Sequence, residues 1–87
     1  MNPREYLAES NPEALLVDGH DNAIVGVGTS FEISARAVYS IPKIIENLME
    51  DGMSEEEAWE YFGYNIEGAY CGSEMPIFLM PSSSELL

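Results

Sequence analysis

Ser40-Ile41-Pro42-Lys43-Ile44-Ile45-Glu46-Asn47-Leu48-Met49-Glu50-Asp51-Gly52-Met53-Ser54-Glu55-Glu56-Glu57-Ala58-Trp59-Glu60-Tyr61-Phe62 decides the fold. Ile41, Ile44, Ile45, Leu48 and Met49 recur at i, i+3, i+4, i+7 and i+8, which puts one apolar stripe on one face of a helix. Ser40 can cap that helix, and Pro42 is tolerated in its first turn. Gly52 suits a left-handed stop. Ser54 and Glu57 match the reciprocal capping box that opens a second helix, and Glu55, Glu56 and Glu57 sit at the positive end of its dipole. The spacing predicts a buried face of Ala58, Trp59, Phe62, Ile66 and Tyr70. Gly63 inside this helix suggests a close helix–helix approach. Gly68 and Gly72 end it.

Outward from this core, the patterns turn to strands. Ala14-Leu15-Leu16-Val17 and Ala23-Ile24-Val25-Gly26-Val27 are short apolar runs separated by Asp18-Gly19-His20-Asp21-Asn22, five residues suited to a turn. They predict a β-hairpin, with Gly26 and Gly28 marking a bulge or close packing in its second strand. Thr29 to Ser34 reads as a loop, Ala35 to Tyr39 as a third strand, and Pro76 to Met80 as a last one. The expected fold is α+β, in the order β-β-β-α-α-β: a mostly antiparallel sheet of three to four strands on a two-helix hairpin. Residues 1–12 read as an N-terminal arm, 13–80 as the single domain and 81–87 as a C-terminal tail. A chain of 87 residues is too short for two independent cores.

The charge balance restricts function. Asp and Glu number 16 against 3 Lys and Arg, a formal net charge of −13. Arg4, Arg36 and Lys43 cannot form the basic patch that nucleic-acid backbones require, and the same sign argument excludes an anionic membrane. A basic protein partner is favoured by long-range attraction. One cysteine, Cys71, rules out an internal disulfide framework. The N-terminus has no basic region followed by an apolar run, and the longest apolar run is far short of a membrane span, so the expected compartment is the cytoplasm.

From about Asp18 to Phe78 the chain resembles a family of small proteins encoded in bacteriophage genomes. The residues that carry the likeness are Ala23-Ile24-Val25-Gly26-Val27-Gly28 and Ala37-Val38-Tyr39-Ser40. To these add the run from Gly52 through Glu55-Glu56-Glu57-Ala58-Trp59-Glu60-Tyr61-Phe62 to Tyr64-Asn65-Ile66-Glu67-Gly68-Ala69-Tyr70, then Gly72, Pro76 and Ile77. The family carries no assigned activity, so the resemblance transfers no catalytic residue. It implies a viral gene product acting inside a bacterial cell. Family members commonly carry Val where this chain has Cys71, which argues against a catalytic thiol.

Candidate chemistry is sparse. Asp18, His20 and Asp21 could ligate a metal, but no third strong ligand joins them and the calcium-loop pattern is absent, so they read as a polar turn. Cys71 with His20 and a carboxylate or Asn22 could form a nucleophilic set, against the plainer reading of a small core cysteine. Gly26-Val27-Gly28-Thr29-Ser30 lacks the Gly-Lys-Ser/Thr ending of a phosphate loop. No metal, cofactor or catalytic residue is expected.

The acidic run is the most informative feature. Glu46, Glu50, Asp51, Glu55, Glu56, Glu57 and Glu60 put seven carboxylates in fifteen residues. One reading is a solvated face that keeps the chain soluble. The other is a negative surface for a basic groove that otherwise holds DNA or RNA phosphates. The resemblance favours the second, because small acidic phage proteins often inhibit host nucleic-acid enzymes. The leading expectation is a non-enzymatic inhibitor of a host nucleic-acid-handling or defence protein, such as a CRISPR effector or restriction enzyme. It would bind through Glu46, Glu50, Asp51, Glu55, Glu56 and Glu60, with Tyr61 and Tyr64 as anchors. One alternative is a self-associating structural or accessory phage protein, a homodimer through its apolar sheet face or tyrosine-bearing helix face. The other is a small enzyme or ligand-binding protein using His20 and Cys71.

Overall fold

The computed structural model describes residues 2–70 and 72–82. Cys71 and residues 83–87 lie outside them, and with them the readings of Cys71 and of most of the C-terminal tail.

The chain is α+β, with helices packed on a three-stranded mixed sheet. Helix α1 is Pro3–Ser10, strands β1 and β2 are Ile24–Ser30 and Ile33–Ser40, helices α2 and α3 are Ile41–Glu50 and Glu55–Tyr61, and strand β3 is Ile77–Leu79. A single turn of 3-10 helix, Asp21–Ala23, precedes β1, and a π-helical turn, Phe62–Glu67, continues α3. The expected strand over 14–17 is absent, so the order opens with a helix and two strands instead of three strands.

The hairpin of the sheet is β1–β2, closed by Phe31-Glu32, and residues 29–34 are largely strand, not loop. Two register shifts interrupt the ladder, one between Ile24 and Gly26 and one between Gly28 and Ser30. A Cβ on Gly28 would lie 2.9 Å from Ile77 Cδ1 and 3.2 Å from Val38 Cγ2, so a side chain there has no room. Strand β3 pairs with β2 in parallel, which makes β2 the central strand and corrects the expectation of a mostly antiparallel sheet. A parallel pair needs a long crossover, and α2, α3 and the π turn supply it.

Residues 3–10 form α1. Asn2 caps α1 by accepting the Glu5 N–H, Pro3 occupies its first turn, and Leu7 enters the core. Residues 11–17 are irregular, with backbone donors satisfied at long range. Leu15 N–H donates to the Glu74 carbonyl at 3.1 Å, and Val17 N–H donates to the Tyr39 hydroxyl at 2.8 Å. An irregular backbone stays buried only when its donors find partners like these.

The crossover follows the local signals. Ser40 accepts the Lys43 N–H, and Ile41, Ile44, Ile45 and Leu48 are buried while Met49 is exposed. Gly52 sits at φ +108°, a conformation open to glycine and strained for other residues. Both hydrogen bonds of the Ser54–Glu57 capping box form, and they hold the Glu57 carboxyl below its ordinary range.

Two expectations about α3 fail. Trp59 is 41% exposed, because the buried row Ala58, Phe62 and Ile66 runs past it. Gly63 meets no neighbouring helix. It begins the widened turn instead, where the Gly68 N–H donates to the Gly63 carbonyl at 3.0 Å. Phe62 packs edge-on against Phe78 at a centroid distance of 5.3 Å, and Phe78 also meets Tyr39, so the crossover is fastened to β2 and β3 by one aromatic row.

Candidate acidic cleft

The 18–22 loop lies against the C-terminal end of α2, and together with α3 and the π turn they border a cleft of about 740 Å³. Its size falls in the range of ligand sites. Asp18 and Asp21 come from the loop, Glu50 and Asp51 from the end of α2, Tyr61 from the end of α3 and Tyr70 from the segment after the π turn.

The loop is docked on α2 by a polar trio. Asn22 and Asn47 exchange amide hydrogen bonds, Asn22 Nδ2 to Asn47 Oδ1 at 3.0 Å and Asn47 Nδ2 to Asn22 Oδ1 at 2.7 Å. Asn47 Nδ2 also lies 3.1 Å from His20 Nδ1, to which it donates in this amide orientation. His20 is only 8% exposed and lines the cleft, and its Nε2 has no partner among the described residues. Burial pushes the His20 pKa down, and the Asp51 carboxylate opposes that only in part.

Burial thus favours the neutral imidazole, and in the tautomer whose Nδ1 accepts from Asn47 the ring proton sits on Nε2. Protonation is harder in the folded chain than in the unfolded one, so stability from the neutral ring is complete above about pH 6.5 and is lost as pH falls below it. Denaturant melts at pH 7.5 and 5.5 test this. Wild type should lose stability on acidification relative to His20→Gln, and parallel pH dependences would disprove it.

The expected anionic patch divides. Glu50, Asp51 and Tyr61 border the cleft. Glu57, Glu60, Tyr61 and Tyr64 border a shallower hollow beside it, and Tyr61 is common to both. Glu46 and Glu55 border a different groove, with Met49, Trp59 and Met80. Glu46 is also engaged by Lys43 at 3.3 Å. Glu56 is exposed on the first turn of α3. Tyr64 is 84% exposed and Tyr61 40% exposed.

Sequence reasoning dismissed Asp18, His20 and Asp21 as a turn and did not single out Asn47. A polar residue three positions from Ile44, beside the apolar stripe, was the available signal for Asn47. Asp21 meets Arg4 at 2.9 Å, an exposed pair worth little. Among the described residues no three His, Cys, Asp or Glu side chains converge as a metal site, and no helix is long and apolar enough to cross a membrane. Comparison with protein-family models, curated proteins and solved structures returns no match.

Proposed function

We propose that this chain is a non-enzymatic binding protein that engages a basic surface of a protein partner through the acidic cleft and the adjoining face of α3. The partner class is a nucleic-acid-handling or defence protein of a bacterial host, inhibited because carboxylates occupy a groove built for phosphates. The bacteriophage resemblance motivates that class. The observation that carries the reading is the state of Glu50, Asp51, Glu55, Glu56 and Glu60: all are exposed, and none meets a cation among the described residues. Uncompensated charge on a small domain raises association rates and selects partners of opposite sign.

The test is a pull-down from bacterial lysate at low and high salt, with duplex DNA as competitor. Wild-type protein should retain a basic partner that salt and DNA release. Glu55→Lys, Glu56→Lys and Glu60→Lys together should weaken retention by more than roughly tenfold. A partner held equally well by the triple variant and at high salt would refute the acidic-face mechanism.

A second reading, self-association, is favoured by β1. It lies at the sheet edge, Ile24–Ser30 contains no charged residue, and Phe31 beside it is fully exposed. A salt-insensitive homodimer that retains no bacterial protein would favour it.

A further inference from the structure

We propose that the sheet face turned away from the helices is a homodimer interface, in which Arg36 of each copy pairs with Glu32 of the other across a two-fold axis. This rests on the self-association reading and names its face and its contact, and it leaves the acidic side free for another partner.

The strand pairing sorts residues into two faces. Residues paired across strands project to the same side, and neighbours along a strand to opposite sides. The pairs Ile24 with Tyr39, Val27 with Ala37, and Tyr39 with Phe78 form one side, and all five residues pack in the core with Leu7, Ile44 and Phe62. The pairs Gly28 with Arg36 and Val38 with Ile77 form the other. Between Gly28 and Ser30 β1 advances two positions and β2 three, which returns Ile33 to that second side, beside Ser30. Ile33, Val38 and Ile77 stand outside the core, and a Cβ on Gly28 would meet the Val38 and Ile77 side chains. Helices α1, α2 and α3 bury their apolar residues on the first side, so no helix among the described residues covers the second.

An apolar face alone names no occupant; the charges on it do. Arg36 Nε is the one buried side-chain nitrogen or oxygen among the described residues without a hydrogen-bond partner. Arg4 and Lys43 each meet a carboxylate, whereas Arg36 meets none among the described residues. A buried donor left unmatched is costly, and an interface that brings it a carboxylate recovers that cost. Glu32 is exposed at the turn that ends the face, and it meets no cation among the described residues.

Arg36 and Glu32 lie four positions apart, so a two-fold axis between them sets each on its opposite in the second copy. An unrelated acidic protein would match Arg36 and repel Glu32; a second copy matches both. Charge also favours this face for two chains at −13 each. Strands β1, β2 and β3 contain no Asp or Glu, and Arg36 is their single charged residue. Packed sheet to sheet, about 10 Å apart, the two copies keep their acidic helices on the outside.

The test is sedimentation of the full-length chain at moderate salt, from about 10 µM to about 1 mM, the range in which small interfaces associate. Wild type should form a concentration-dependent dimer. Arg36→Glu and Glu32→Arg, each checked for folding by circular dichroism, should alone dimerise at least roughly tenfold more weakly. Mixed in equal amounts they should pair, because both contacts regain opposite charges. Ile33→Glu, at a half-exposed position on the face, should also weaken the dimer, and it carries the test should a charge variant fail to fold.

Single variants that stay apart when mixed would overturn the Arg36–Glu32 contact. A dimer that Arg36→Glu and Ile33→Glu leave intact would overturn this face and keep self-association, through the β1 edge instead. A wild-type chain that is monomeric throughout would remove both, with the acidic-face reading untouched.

Discussion

Ile44→Ala should lower the free energy of unfolding by about 2–5 kcal/mol. Ile44 is fully buried on α2, in the middle of the stripe that packs on the sheet. Alanine there loses the transfer free energy of three carbons and leaves a cavity that rigid neighbours fill only partly. A domain of this length holds on the order of 4–13 kcal/mol in all, so the variant gives up a large share of its stability. Urea titration by circular dichroism measures it. A loss under about 1 kcal/mol would mean that the core does not close on α2 as described.

Tyr39→Phe should cost about 1–3 kcal/mol, although the aromatic ring stays in place. Tyr39 is fully buried in the central strand, and its hydroxyl is the acceptor for the Val17 N–H at 2.8 Å. Phenylalanine keeps the contact with Phe78 and strands a buried backbone donor. The deficit falls on the irregular segment that leads into the 18–22 loop. Hydrogen exchange at Val17 should therefore accelerate more than at Val38 or Ala58, and the Asn22–Asn47 contact should loosen. Uniform acceleration across the chain would mean that Tyr39 stabilises the fold without specifically holding the loop.

The elements written in short-range chemistry were legible in the sequence. The α2 stripe, the Ser54–Glu57 box and the stop at Gly52 each depend on residues within one or two turns of one another. What escaped depends on tertiary partners. Ala14-Leu15-Leu16-Val17 has the composition of a strand, yet its donors go to Glu74 and Tyr39, far away in sequence. The β1–β2 turn uses Phe31-Glu32, which carries none of the usual turn residues. Helix α1 shows no long apolar stripe and buries Leu7 alone among its residues. The residues of the cleft were visible one by one. Their meeting was not, because Asp18 and His20 reach α2 only through the fold, and Glu46 and Glu55 border a different groove.

The parallel seat of β3 also affects how the chain is made. Its three residues complete a strand ladder begun some forty positions earlier, at Val38–Ser40. A ribosome adding roughly 5–20 residues per second needs about 2–8 s to travel between those points. During that interval the nascent polypeptide displays one flank of its middle strand and the rings of Tyr39 and Phe62 without their C-terminal neighbour. Such a flank invites chaperones and stray strands alike, and the domain becomes safe from them only when Ile77–Leu79 emerges and docks.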